Sequence, residues 1–187
     1  MDLTRRQNEI IDAALNLTAQ GGIQNLTIKN VAASLGITEP AIYRHFANKS
    51  EIVSTMIRRF DHAVPADERE LRGFDAVAAF IRGRFEQVAA KPALARVMFS
   101  EELFMDDPKF TELMFEMMHR HKSALKIYFD EAQAAGEIRG DIAQDMLFRL
   151  VFGPVRLLIK QWGMTNGVFD LRAKGEELID TLKKILK

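Results

Sequence analysis

Residues Thr27 to Lys49 read TIKNVAASLGITEPAIYRHFANK, and this stretch decides the fold. Ile28, Val31, Ala32 and Leu35 recur at i, i+3, i+4 and i+7, the stripe of a helix with one buried face. Thr27 stands just before the stripe, where its hydroxyl can cap the first free backbone N–H groups. Gly36 follows Leu35 as a C′ residue that takes φ > 0 at no steric cost. Thr38 can then cap a second helix, with Pro40 in its first turn, where a missing N–H does no harm. Small Ala32, the corner at Gly36 and apolar Ile42 suit two helices crossing at close range. Such a pair can place its second helix in the DNA major groove. The stretch reads as a helix-turn-helix.

Working outward, a first helix is expected from about Thr4 to Gln20, with Ile10, Ile11, Ala14, Leu15 and Leu17 on its inner side and Gly21-Gly22 ending it. Asn48 and Glu51 have the spacing of a capping box for a fourth helix reaching about His62, and Pro65 with the charged run Asp67 to Arg72 reads as a loop. Phe74, Val77, Ala78, Ile81, Phe85 and Val88 mark another amphipathic helix closed by Pro92. A short helix around Ala93–Phe104, a long one over about Pro108–Ala135, an apolar one from Asp141 to about Trp162 and a last one introduced by Asp170 complete about nine helices. Gly153-Pro154 inside the apolar helix is a place for a kink. No strand-like alternation or internal repeat is visible, so the fold class is all-α.

The run Ala41-Ile42-Tyr43-Arg44-His45-Phe46-Ala47-Asn48-Lys49 resembles the signature of tetracycline-repressor-like (TetR family) transcriptional regulators. In that family a Tyr-x-x-Phe element ends the recognition helix and a Lys opens the next one. The motif resemblance covers about Arg5 to Met56; the rest is similar in length, helical pattern and order of parts. It implies a DNA-binding domain over residues 1–48, a helical ligand-binding and dimerisation domain over 49–187, and a homodimer on a double-stranded operator. Residues Thr38, Glu39, Pro40 and Ala41 are assigned to base edges, with Glu39 able to accept from a cytosine amine. Glu39 departs from the small or basic residues usual there. The resemblance suggests phosphate contacts for Tyr43, His45, Lys49 and Thr27, with Arg44 on the same helix. The other reading of these side chains is an ordinary polar helix face.

With 187 residues, 48% hydrophobic and 28% charged, the chain falls among globular proteins rather than disordered or membrane ones. The start, MDLTRRQNEI, lacks the long apolar core of a signal peptide, and no segment is long and uncharged enough to span a bilayer. There is no cysteine, so no disulfide or thiolate metal site forms, and a cytoplasmic location is the simplest expectation. Net charge is zero, and residues 1–50 hold only five cations against four anions. So few cations imply modest non-specific affinity and reliance on a dimeric footprint.

Methionine and phenylalanine concentrate mid-chain: Met98, Met105, Met114, Met117 and Met118 fall near Phe85, Phe99, Phe104, Phe110 and Phe115. They are core at helical spacing, or they line an adaptable apolar cavity, since the family commonly holds an inducer pocket in this region. Candidate ligand residues are Phe85, Met98, Phe99, Phe104, Met114, Met117, Met118, Tyr128 and Trp162, with Gln133 and Arg96 as further polar contacts. His119 and His121, two apart on a helix, point to different faces and make no metal site. Asp106-Asp107 and Glu101-Glu102 read as helix-terminal charges. No nucleophile–base motif or phosphate-cradling loop occurs, so neither catalysis nor a cofactor is expected.

The segment Met146 to Phe152 is almost continuously apolar, and Val155, Leu157, Leu158 and Ile159 continue it. Either this helix is wholly buried, or the last two helices form a four-helix bundle with a partner, as the resemblance implies. The expected function is a ligand-responsive regulator, a repressor released from a palindromic operator by a small apolar or amphipathic molecule. The rival is an apolar-metabolite carrier or small helical enzyme whose N-terminal helix pair is only structural.

Overall fold

The computed structural model describes residues 3–59, 70–98 and 100–187. Among them every regular element is helical: α1 (Arg5–Asn25), α2 (Ile28–Leu35), α3 (Glu39–Tyr43), α4 (Lys49–Arg59), α5 (Gly73–Ala90), α6 (Ala93–Val97), α7 (Glu101–Met105), α8 (Pro108–Ala134), α9 (Gln144–Met164) and α10 (Leu171–Leu186). The expected helix over 93–104 is two, because Ser100 breaks the run and caps α7 by accepting from Leu103 N at 3.2 Å. Asp141 does not open α9; its carboxylate pairs with Arg139 at 2.6 Å, and the helix starts three residues later. The expected end of α4 at His62, and Pro65 to Arg69 of the expected loop, lie outside the described residues.

Packing divides the chain into two units: Met1–His62 with Arg96–Met117, and Ala63–Ala95 with Met118–Lys187. In the first, Thr4 begins α1 with a full capping box, accepting from Gln7 N while Gln7 Oε1 accepts from Thr4 N. Gly21 and Gly22 leave helical geometry, Gly22 with φ 70°, which breaks α1 where the sequence placed its end. Two contacts bring α6–α7 to this break. Arg96 Nη1 donates to Ala19 O at 3.3 Å, and the Glu102 carboxylate lies against Gly22. Ile10, Ile11, Ala14, Val31, Ile42, Ile52, Val53 and Met56 are buried in this unit.

Gly36 sits at φ 64°, with Ile37 N bonded to Ala32 O at 3.0 Å. Open space surrounds the position where a Cβ would stand, so a substitution there meets only the backbone penalty. Gly36→Ala is expected to cost about 1–2 kcal/mol and Gly36→Asn less, because Asn tolerates the left-handed region. Equal denaturant midpoints for all three proteins would contradict this account.

In the second unit, Phe74, Val77, Ile81, Phe85 and Val88 of α5 are buried with Leu171, Gly175, Ile179 and Leu182 of α10. Gly175 lies directly under the Phe85 ring, where any Cβ would collide with it. Three exposed ion pairs flank this contact: Arg82 with Glu176 at 2.7 Å, Arg172 with Glu86 at 2.6 Å, and Lys183 with Asp75 at 3.8 Å. Hydrogen bonds from Arg172 and Arg82 hold Glu86 and Glu176 below the ordinary carboxylate pKa. Depressed carboxylate values add stability above the ordinary carboxylate range, and that stability is lost as pH falls through it. Solvent screening keeps the contribution small.

Candidate nucleic-acid interface

The interface is built by short-range bonds that leave its side chains outward. Thr27 Oγ1 accepts from Asn30 N at 3.0 Å, so its O–H remains available as a donor. Thr38 occupies the N-cap of α3 but makes no side-chain capping bond. The expected cap fails for a simple reason. Pro40 has no N–H to give, and Ala41 N is bonded to the Thr38 carbonyl at 3.0 Å. The hydroxyl is thereby left on the surface.

The five-residue α3 is held from beneath by Ile42 and from its end by Phe46, both buried. Gln7 Nε2 donates to His45 O at 3.4 Å, tying the end of the recognition segment to α1. The capping box at α4 forms with one change: Asn48 Oδ1 accepts from Glu51 N at 2.9 Å, but Glu51 reaches Ala47 N rather than Asn48 N. Thr27, Thr38, Glu39, Pro40, Tyr43 and Arg44 are exposed, while Ala41, His45 and Lys49 are half-buried. Lys49 Nζ donates to Ile23 O at 3.3 Å, so this cation is positioned by the segment that follows the α1 break.

The charge balance of residues 1–50 reads differently in three dimensions. Arg5 and Arg6 pair with Glu9 at 3.1 and 2.7 Å. Lys29 and Arg44 are exposed and in no ion pair among the described residues. Lys29, in the first turn of α2 two residues after Thr27, was not among the contacts expected from the sequence.

The candidate ligand residues fall in both units. Met98, Phe104, Met114 and Met117 belong to the unit containing the helix-turn-helix, whereas Phe85, Met118, Tyr128 and Trp162 belong to the other. Phe99 lies outside the described residues. Met98, Phe104 and Met117 are buried; Met114, Met118, Tyr128 and Trp162 are half-buried. Phe85 packs on Gly175, and Trp162 Nε1 donates to Phe169 O at 2.9 Å, closing the turn before α10. Met105 and Phe115, grouped with them by sequence, are exposed. His119 is exposed and His121 buried, so the two do face apart. No helix of the described residues is long and apolar enough to cross a membrane.

Residues 10–56 match the sequence model of a family described as bacterial regulatory proteins, tetR family. The chain is similar to the HTH-type transcriptional regulator TtgR of Pseudomonas putida, 27% identical over 92% of this chain and 87% of that one. Its fold matches the fatty acid degradation regulator FadR from Bacillus halodurans with a TM-score of 0.84, at 20% identity over 98% and 97% of the two chains. It also matches FadR from Bacillus subtilis, solved in complex with stearoyl-CoA, with a TM-score of 0.77, at 22% identity over 94% and 96%. With its capped α2, left-handed Gly36 corner and outward-facing α3 within the matched residues, the chain belongs to the TetR family of DNA-binding transcriptional regulators.

Proposed function

We propose that the protein is a homodimeric repressor that leaves a palindromic operator when an apolar or amphipathic small molecule binds. The observation that carries the DNA half is α3 itself: buried Ile42 and Phe46 hold it while Thr38, Glu39, Pro40, Tyr43 and Arg44 face outward. Thr38, Glu39, Pro40 and Ala41 take the base edges. Thr27, Tyr43, Arg44, His45 and Lys49 take phosphates and set the register, and Lys29 joins them. A protein that works on such an operator acts in the cytoplasm.

The dimer half is supported by α9. Leu147, Val151, Val155 and Ile159 are buried within the chain. Met146, Leu150, Leu157 and Met164 stay exposed at helical spacing on another side. On α10, Ile185 is exposed and Leu178 half-buried, while Leu182 is core. A second apolar stripe on a helix that already has a buried one fits a second copy of the same pair of helices.

For the ligand, residues 49–187 supply the apolar side chains, and the stearoyl-CoA complex of the Bacillus subtilis protein supports a long-chain amphiphile. Release requires that ligand bind one spacing of the two DNA-binding domains better than another. Since half-sites lie about one helical turn apart, a small change of spacing ends simultaneous docking.

Selection of bound genomic fragments tests the reading and is expected to return an imperfect palindrome. Arg44→Ala and Lys49→Ala should each weaken binding on all sequences and lower the salt slope by about one unit. Thr38→Ala should instead change which bases are preferred. Equal affinity for random and selected DNA, or operator binding that survives loss of both Thr38 and Tyr43 side chains, would favour a merely structural helix pair.

A further inference from the structure

The outward side of α3 carries one group that does not suit a polyanion. Glu39 is the first residue of α3 and is exposed, and its carboxylate is in no hydrogen bond or ion pair among the described residues. The other exposed side chains of the interface are neutral or cationic: Thr38, Pro40 and Tyr43, with Arg44 at the end of the helix and Lys29 in the first turn of α2.

The fold gives little reason for an acid here. A carboxylate at a helix start is favoured by the helix dipole, but α3 has only five residues and is held by buried Ile42 and Phe46. Glu39 also accepts no bond from the N–H groups of its own helix; Ala41 N is bonded to the Thr38 carbonyl. Towards DNA the charge is unfavourable on every sequence, because it repels phosphates wherever the protein lands. Only a base edge that offers a donor offsets this. In the major groove cytosine presents its N4 amine as a donor, and adenine sets its N6 amine beside the N7 acceptor. Guanine and thymine present acceptors there. An ionised carboxylate accepts and never donates. Cytosine is therefore favoured, adenine is poorer, and guanine and thymine are repelled. Discrimination of this kind comes as much from rejecting wrong partners as from bonding the right one.

We propose that Glu39 selects the operator by exclusion: it accepts from one cytosine N4 amine in each half-site and lowers the affinity of α3 for all other DNA. The inference rests on the DNA reading above and adds a direction to it. A neutral side chain at this position makes the protein bind DNA more readily and with less choice.

The test uses the full chain as wild type, Glu39→Gln and Glu39→Ala. Bound duplexes are selected from a random library, and affinities for the wild-type operator and for a scrambled duplex are measured at one salt concentration. Wild type is expected to require a cytosine at symmetry-related positions, and its replacement by thymine in one half-site should lower affinity by about tenfold or more. In Glu39→Ala that position should lose its preference while the others keep theirs. In Glu39→Gln it should turn to adenine, which an amide reads with two bonds. Both variants should bind the scrambled duplex at least about twofold more tightly than wild type. A cytosine preference that survives in Glu39→Ala would overturn the proposal, as would equal affinity of all three proteins for the scrambled duplex. A lowered melting temperature with unchanged base preference would reduce Glu39 to a helix-start charge. If wild type selects an operator that both variants select unchanged, only this inference falls. If wild type prefers no sequence at all, the DNA reading falls with it.

Discussion

Leu157→Glu is expected to convert the dimer to monomers and to lower operator affinity by at least about 100-fold. Leu157 is 57% exposed on α9, so the single chain tolerates a carboxylate there. Against a second copy the same carboxylate becomes an unpaired buried charge, which costs several kcal/mol. Affinity falls further than one lost contact implies, because the second half-site is then no longer bound as an intramolecular event. Leu150, 37% exposed, offers a second position with the same logic. Leu182 does not: at 2% exposure it lies in the core of its own chain, and a charge there would unfold the protomer before it reported on association. Sedimentation at micromolar concentration is the measurement, and a monomeric wild type would end the proposal.

Ile42→Ala is expected to destabilise the helix-turn-helix unit by about 2–5 kcal/mol and to abolish specific binding. Ile42 is fully buried, and α3 has only five residues. So short a helix has little stability of its own and holds its position through this side chain, Phe46 and the bond from Gln7. Loss of the Ile42 anchor therefore displaces the outward residues even though none of them is changed. Thr38→Ala makes the useful contrast, since its hydroxyl caps nothing and its loss should leave the melting temperature unchanged while base preference shifts. A cooperative melt and operator affinity both unaltered in Ile42→Ala would refute the account.

The helix-turn-helix was legible because it is local. The stripe of α2, its Thr27 cap, the left-handed Gly36 and the Asn48 cap are set by neighbours within a few residues, and each appears where the spacing put it. The errors within this region are also local and have small causes. Thr38 caps nothing because Pro40 and the Thr38 carbonyl remove the two N–H groups it would serve. Glu51 reaches one residue further back than the capping-box spacing implies.

The mid-chain methionines show the opposite case. Composition grouped them, but a helical stripe says only that a face is apolar, not which surface covers it. Met105 and Phe115 are exposed, whereas Met98 and Met117 are buried with the DNA-binding helices. Long-range contacts such as Arg96 on the Ala19 carbonyl and Glu102 against Gly22 join distant parts of the chain, and no helical period encodes them.

By itself, then, the sequence determined the all-α class, most helix ends and the helix-turn-helix, since caps, glycine corners and apolar periods act over a turn or two of chain. Tertiary structure alone decided where Lys49 is held. Lys49 is held on the Ile23 carbonyl, 26 residues away, while Lys29 and Arg44 face outward. It alone decided that Leu182 is core while Leu157 is surface. It also set Arg84 beside His121, 37 residues apart, on two helices that each read as ordinarily amphipathic. Burial and long-range pairing depend on which helices pack together, and the period of one helix carries no information about its neighbour.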